Sequence, residues 1–189
     1  MKLWLLRHAL PLVEPGVCYG ALDVPADPVA TEAAARAFAA VAPHGLSVAV
    51  SPRMRCLQLA VQLHAVRPDL RAQEDARIAE MNFGTWEGQR WDTLDPAQLQ
   101  AWTDDFAHWA CGGAESVTVL MDRVACAWEQ WLASGRDAIW VTHAGVMRAV
   151  HLLANGTRQV SQAHQWPLDA PGYGQWCAVA APEPSPPNT

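Results

Sequence analysis

Three short apolar runs along the chain each end abruptly in polar or ionisable side chains. Leu3-Trp4-Leu5-Leu6 runs into Arg7-His8. Residues 46–50 run into Ser51-Pro52-Arg53-Met54-Arg55, and residues 138–141 into Thr142-His143-Ala144-Gly145. Apolar runs of this length predict buried strands of an α/β sheet. Ligands of such sheets sit at the carboxyl ends of the strands. The pattern therefore delivers Arg7, His8, Arg55 and His143 to the mouth of one site.

Helical periodicity fills the intervals. Asp27-Pro28 reads as a cap followed by a first-turn proline, and Ala34, Ala37, Phe38 and Val41 follow at helical spacing. Ser51-Pro52 reads the same way, with Cys56, Leu59, Ala60 and Leu63 on one face. Arg55 then shares the face of the cap and leans back toward the strand end. Arg53 falls about 200° around the helix from it, at about 100° per residue, and is expected to face solvent. Asp95-Pro96 opens a helix carrying Leu99 and Trp102, with Phe106 and Trp109 on the same side. Ser116 caps a long helix with Val117, Leu120, Met121, Val124, Ala125 and Trp128 on one stripe, ended by Gly135. A last helix places Val146, Ala149, Val150 and Leu153 inward and stops at Asn155-Gly156.

The remaining stretches have no period. Residues 9–27 form a loop too apolar for disorder, expected to lie over the site. Residues 70–78 allow a short edge strand, and residues 79–88 form a structured loop with glycines and aromatics. Residues 173–180 are predicted as a final strand. Alternating strands and helices imply an α/β fold, a three-layer α/β/α sandwich with a mainly parallel sheet. Residues 1–181 make one domain, and the proline-rich residues 182–189 read as a disordered tail.

Composition narrows the function. At 189 residues the chain suits one domain with one sizeable core. Its net charge of −6 gives no nucleic-acid footprint, and no run approaches the length needed to span a membrane. The five cysteines, Cys18, Cys56, Cys111, Cys126 and Cys177, form no CxxC pair. That suits a reducing cytoplasm. Met1 to Leu6 is too short for a signal-peptide core. A homodimer is compatible with all of this. Lys2 is the sole lysine among 13 basic residues, so the positive charge is almost all arginine, the better bidentate anion ligand.

Two arginines and two histidines converging on strand ends suit a tetrahedral dianion. Helix N-termini behind Ser51 and Gly145 would add backbone N–H groups, and Gly145 permits close backbone approach. A neutral imidazole is a competent nucleophile toward phosphorus, and His8 stands at a rigid strand end. A second, protonated histidine would stabilise charge on the transferring group. Glu80 is the best proton donor for a leaving alcohol, in a loop where burial would favour its protonated form. Glu87, Glu115 and Asp23, taken singly, read as solvated carboxylates. No metal or other cofactor is called for. Metal-ligand spacing such as His-x-x-x-His is absent. No cysteine is followed six residues later by arginine, and no P-loop, Gly-x-Ser-x-Gly or Gly-x-Gly-x-x-Gly occurs.

Together and in this order, the segments resemble the histidine phosphatase superfamily, the phosphoglycerate-mutase-like family. Leu6-Arg7-His8 is similar to its Arg-His-Gly motif, and Ser51 to Cys56 to its Ser-Pro-x-x-Arg motif. Glu80 to Gly88 is similar to its Glu-x-x-x-Gly-x-Trp-Glu-Gly segment, and Val141 to Val146 to its second histidine motif. The resemblance implies a phosphorylated His8 and a phosphoryl group held by Arg7, Arg55 and His143. It implies Glu80 as acid and then base, no metal, and a small phosphate ester as partner. Within the family, residues 16–25 look like the substrate loop of α-ribazole phosphatases, as does Gly112 to Ser116 with Arg123 downstream. That resemblance implies α-ribazole 5′-phosphate, a ring-bearing ester, as substrate, with contacts from Cys18, Tyr19 and Gly20 in the loop; Gly145 is expected to add a contact through its close backbone approach. Two positions depart from the pattern. Ala9 replaces the motif glycine, which would crowd the nucleophile's backbone, and Ala21 stands where α-ribazole phosphatases carry arginine. A mutase-type phosphoryl transferase and a catalytically silent phosphate- or protein-binding relative are the alternative functions.

Overall fold

The sheet is ordered around the strand that arrives fourth in sequence. In the computed structural model, which describes residues 1–182, strands β1 (Lys2–Arg7), β2 (Ser47–Val50), β3 (Ala72–Glu74), β4 (Ala138–Thr142) and β5 (Trp176–Ala180) lie in the order β3-β2-β4-β1-β5. All neighbouring pairs are parallel except β1 with β5. β4 is buried along its whole length, as expected of a central parallel strand covered on both faces.

Period-two alternation sends β1 side chains to two different cores. Leu3 and Leu5 join Trp140 and the helices α4 (Val117–Ser134) and α5 (Ala144–Ala154) on one face. Leu6 joins Ile139, Val141, Phe38 and Leu59 on the other, under α1 (Pro28–Ala39) and α2 (Met54–Val66). The result is the three-layer α/β/α sandwich. The fifth helix, α3 (Pro96–Asp104), carries part of an aromatic cover beyond the sheet.

Several local expectations shift. On α1 the buried residues are Thr31, Ala34, Ala35 and Phe38, whereas Ala37 and Val41 face solvent. The face follows the phase set by the Asp27 cap, whose side chain accepts the Ala30 N–H. α2 begins at Met54 rather than Pro52, with Arg53 as an extended N-cap residue. α3 stops at Asp104, so Phe106 and Trp109 pack from the turn that follows it. On α4, Ala127 and Trp131 are buried, and Ala125 is only half-buried. The last strand starts at Trp176, and residues 173–175 belong to the preceding turn. That turn is pinned on β1: Arg7 N–H donates to the Gln175 carbonyl and Gly174 N–H to the His8 carbonyl. Gly174 has a φ of +68°, which favours glycine. The predicted tail lies outside the described residues beyond Pro182. Among the described residues no helix is long and apolar enough to cross a membrane.

Candidate active site

Parallel register puts the two histidines side by side. Arg7 on β1 pairs with Thr142 on β4, so the next residues, His8 and His143, leave the sheet together. Their rings lie 5.1 Å apart, centroid to centroid. Both side chains are buried.

The His8 ring is fixed by a 2.7 Å contact between Nδ1 and the Ala9 carbonyl. A carbonyl only accepts, so Nδ1 carries the proton and Nε2 keeps its lone pair. Burial, and then the Arg55 charge, push the imidazole down to about 3. His8 is therefore neutral at pH 7, with a nucleophilic nitrogen of defined tautomer. Ala9 does not crowd it. Among the described residues only glycines have positive φ, and the Ala9 methyl packs into the α1/α2 core.

His143 differs from expectation. Burial first, then repulsion from His8 were both rings protonated, and the charges of Arg55, Arg53 and Arg123 hold it well below the ordinary histidine range. It is neutral, not protonated. Its Nε2 lies 2.7 Å from Ser51 Oγ. Ser51 Oγ also accepts the Arg53 N–H, and its own proton is free to go to Nε2. In that tautomer the proton of His143 is on Nδ1, which is buried and has no partner in the protein. Such a ring offers a neutral N–H donor in place of the expected cation. Ser51 is thus not the cap of α2. The first N–H of that helix, from Met54, goes to Asp23 Oδ1.

The guanidinium groups close around the histidines. Arg55 is fully buried, donating to the Gly20 and Leu22 carbonyls and lying 5.2 Å from the Tyr19 ring. Arg7 donates to the Pro171 carbonyl and lies 4.1 Å above the Tyr173 ring. Nε of Arg7, Arg53 and Arg55 is in each case buried without a protein acceptor. Buried donors are nearly always paired, and one left unpaired costs about 1–3 kcal/mol. A cluster of unpaired cationic donors around a neutral histidine marks an anion site.

Glu80 approaches from the opposite side, on the loop after β3. Its Oε2 accepts the Gly145 N–H at 3.2 Å, at the positive end of α5. A Cβ on residue 145 would run into Glu80 Oε1, so a larger residue there would displace the carboxylate. Arg123 holds the loop by donating to the carbonyls of Arg77, Ala79 and Glu80, and pairs with Glu115. Glu87 accepts N–H groups from Ala21, Leu22 and Phe83, tying the loop over the site to the Glu80 loop. Asp23, Glu87 and Glu115 are structural fasteners here.

Arg7, His8, Arg55, Glu80, His143 and Gly145 are thus brought together, with Tyr19 and Gly20 beside Arg55. Cys18 is not among them. Its side chain is fully buried in the core beneath the cover, and both its backbone groups are bonded, to Gln89 and Gly88. Burial pushes its thiol up to about 12. Sequence reasoning missed Tyr173, whose hydroxyl bonds that of Tyr19 at 2.9 Å and whose ring lies 5.6 Å from His8. It also missed Arg148, one helical turn after Gly145 on the less buried stripe of α5 that continues to His151. Arg53, expected in solvent, is half-buried near His143.

Beyond Glu80 a cavity of about 390 Å³ opens under the aromatic cover, lined by Phe83, Trp91, Trp102, Phe106 and Trp166 among others. Trp86 is instead buried in the core. Among the described residues no group of three or more His, Cys, Asp or Glu is placed to hold a metal ion.

A neutral, oriented histidine inside a cage of unpaired cationic donors, at the carboxyl edge of a parallel sheet, defines a protein that handles phosphoryl groups. The chain belongs to the histidine phosphatase superfamily (branch 1), whose model matches residues 3–178. No curated protein matches the chain. Among solved structures, it is similar to the native mycobacterial glucosyl-3-phosphoglycerate phosphatase, with 25% identity and a TM-score of 0.78 over 94% of this chain and 88% of that one. It is also similar to TTHB049 from Thermus thermophilus, with 29% identity and a TM-score of 0.69 over 95% of this chain and 93% of that one.

The depressed histidines make stability depend on pH. Both are neutral in the folded protein where the unfolded chain, at an ordinary histidine value near 6.5, takes up protons. The unfolded state therefore binds more protons as pH falls from about 6.5 toward 3, and stability drops over that window. In urea titrations at pH 7 and pH 5, His8→Asn is expected to lose less stability on acidification than the wild type. Equal losses would show that His8 titrates normally in the folded state.

Proposed function

We propose that this protein is a metal-independent phosphomonoesterase working through a phosphohistidine. The observation that carries this reading is the His8 ring: its Nδ1–H is bound to the Ala9 carbonyl, and its Nε2 is free beside unpaired arginine donors. Nε2 attacks phosphorus, a P–N bond forms and the ester P–O bond breaks. Arg7, Arg55 and the Nδ1–H of His143 bind the non-bridging oxygens as charge redistributes. Glu80 gives its proton to the departing oxygen. It then takes one from the water that attacks the phosphohistidine, which releases phosphate and restores His8.

For the substrate, we favour a compact ester carrying a ring. The support is the aromatic cavity next to Glu80, where a leaving group would sit. α-Ribazole 5′-phosphate is the leading named candidate, on the likeness of residues 16–25 and 112–116 to that substrate loop. The Ala21 position, where an arginine is replaced, offers only its backbone N–H, and that goes to Glu87. Glucosyl-3-phosphoglycerate, the substrate named for a structural neighbour, is the natural comparison.

The test is a kcat/KM panel without added metal: α-ribazole 5′-phosphate, nucleoside monophosphates, glucosyl-3-phosphoglycerate and 3-phosphoglycerate. The expected order places ring-bearing esters first. A lead for 3-phosphoglycerate, or phosphoryl exchange between its positions, would replace this substrate assignment with the mutase-type one. No turnover of any ester, activated aryl phosphates included, would leave a silent relative.

A further inference from the structure

The aromatic cavity has one cation, and the mechanism above does not use it. Arg148 lines the cavity together with Glu80 and Gly145. Gly145 and Arg148 stand three residues apart on α5 and so share a face. Because Gly145 N–H holds the Glu80 carboxylate, the Arg148 side chain lies one turn along from the proton donor. Any group leaving past Glu80 into the cavity passes it.

The carboxylates of Glu80 and Asp169 lie near enough to Arg148 to favour its charge, but neither pairs with it directly. Among the described residues it forms no salt bridge, and its one hydrogen bond runs from Nη2 to the Leu168 carbonyl at 2.8 Å. Its Nε is buried without an acceptor. Burial lowers its pKa from the ordinary arginine value, with Glu80 and Asp169 opposing that shift and Arg7 adding to it. A half-buried guanidinium with spare donors among tryptophans can take an acceptor from a bound ligand. The aromatic walls offer none: Trp91, Trp102 and Phe106 present ring faces, with Trp91 and Trp102 stacked at 6.4 Å and Trp102 and Phe106 at 5.4 Å.

We infer that Arg148 is a specificity-determining residue. It pairs with an acceptor group, most strongly a carboxylate, borne on the ring of the leaving group while the tryptophans hold the ring itself. The inference rests on the phosphomonoesterase reading and narrows it to ring-bearing esters with a polar acceptor on the side facing α5. A purely hydrocarbon ring fills the cavity but leaves Arg148 unpaired. A small sugar acid pairs Arg148 but leaves the aromatic walls uncovered.

The experiment compares phenyl phosphate with 3- and 4-carboxyphenyl phosphate, in wild type and in Arg148→Met. Expected is a wild-type kcat/KM preference of about 10–100-fold for the better carboxylated ester, the worth of one charged hydrogen bond. In Arg148→Met that ratio collapses toward 1, mainly through KM. A wild-type ratio near 1, or a ratio unchanged in the variant, overturns the inference while leaving the phosphatase reading intact. A wild type inert toward all three esters overturns both.

Discussion

His8→Ala should lose at least about 10³-fold in turnover of every phosphomonoester, with the fold retained. The imidazole makes one backbone contact, to its own neighbour Ala9, so its removal breaks no long-range fastening. What disappears is the nitrogen proposed to form the covalent bond. Rapid quench of the wild type with labelled substrate should trap an acid-labile, base-stable phosphoenzyme, and the variant should trap none. Because His8 stays neutral to well below pH 6.5, trapping should persist at about pH 5.5. Undiminished turnover in His8→Ala would mean that another group, or water directly, attacks phosphorus.

Glu80→Gln should separate substrates by leaving group. The amide keeps size and can still accept the Gly145 N–H, so the cavity and the α5 N-terminus stay as they are. It cannot supply a proton. Alkyl esters, whose oxygens leave poorly, should slow by about 10²–10⁴-fold. Nitrophenyl phosphate, which departs unassisted, should lose far less in phosphoenzyme formation. Equal losses on both would assign Glu80 to binding. Glu87 would not inherit the role of acid, since its carboxylate is already engaged by three backbone N–H groups.

Where the sequence was legible, the reason is physical. Apolar runs ending in charge can be read because a parallel sheet buries its strands and exposes their carboxyl ends. That was enough to gather Arg7, His8, Arg55 and His143. The reading of Arg53 failed because it assumed a helix starting at Pro52. Arg53 is extended, at φ −82° and ψ 137°, so helical phase does not apply to it. Ser51 was legible as a helix start and illegible as the partner of His143, because that partner lies on a different strand. Cys18 sits in the right loop but points into the core, and no local pattern distinguishes inward from outward in a loop without period. Tyr173 depends on the turn at Gly172 and Gly174, which docks onto β1 through backbone bonds and the Arg7 side chain. Arg148 stood out only as a charge on an apolar helix.

The strand order also bears on synthesis. β1 and β2 are made before the other strands, yet they never pair with each other; β4 lies between them. A nascent chain ending before residue 138 therefore holds His8, Arg55 and Glu80 on pieces with no common sheet. The catalytic apparatus comes into being when β4 inserts, and the chain that emerges next is α5, carrying Gly145 as the seat for Glu80. Truncated or stalled products should consequently be inert toward phosphate esters rather than partially active.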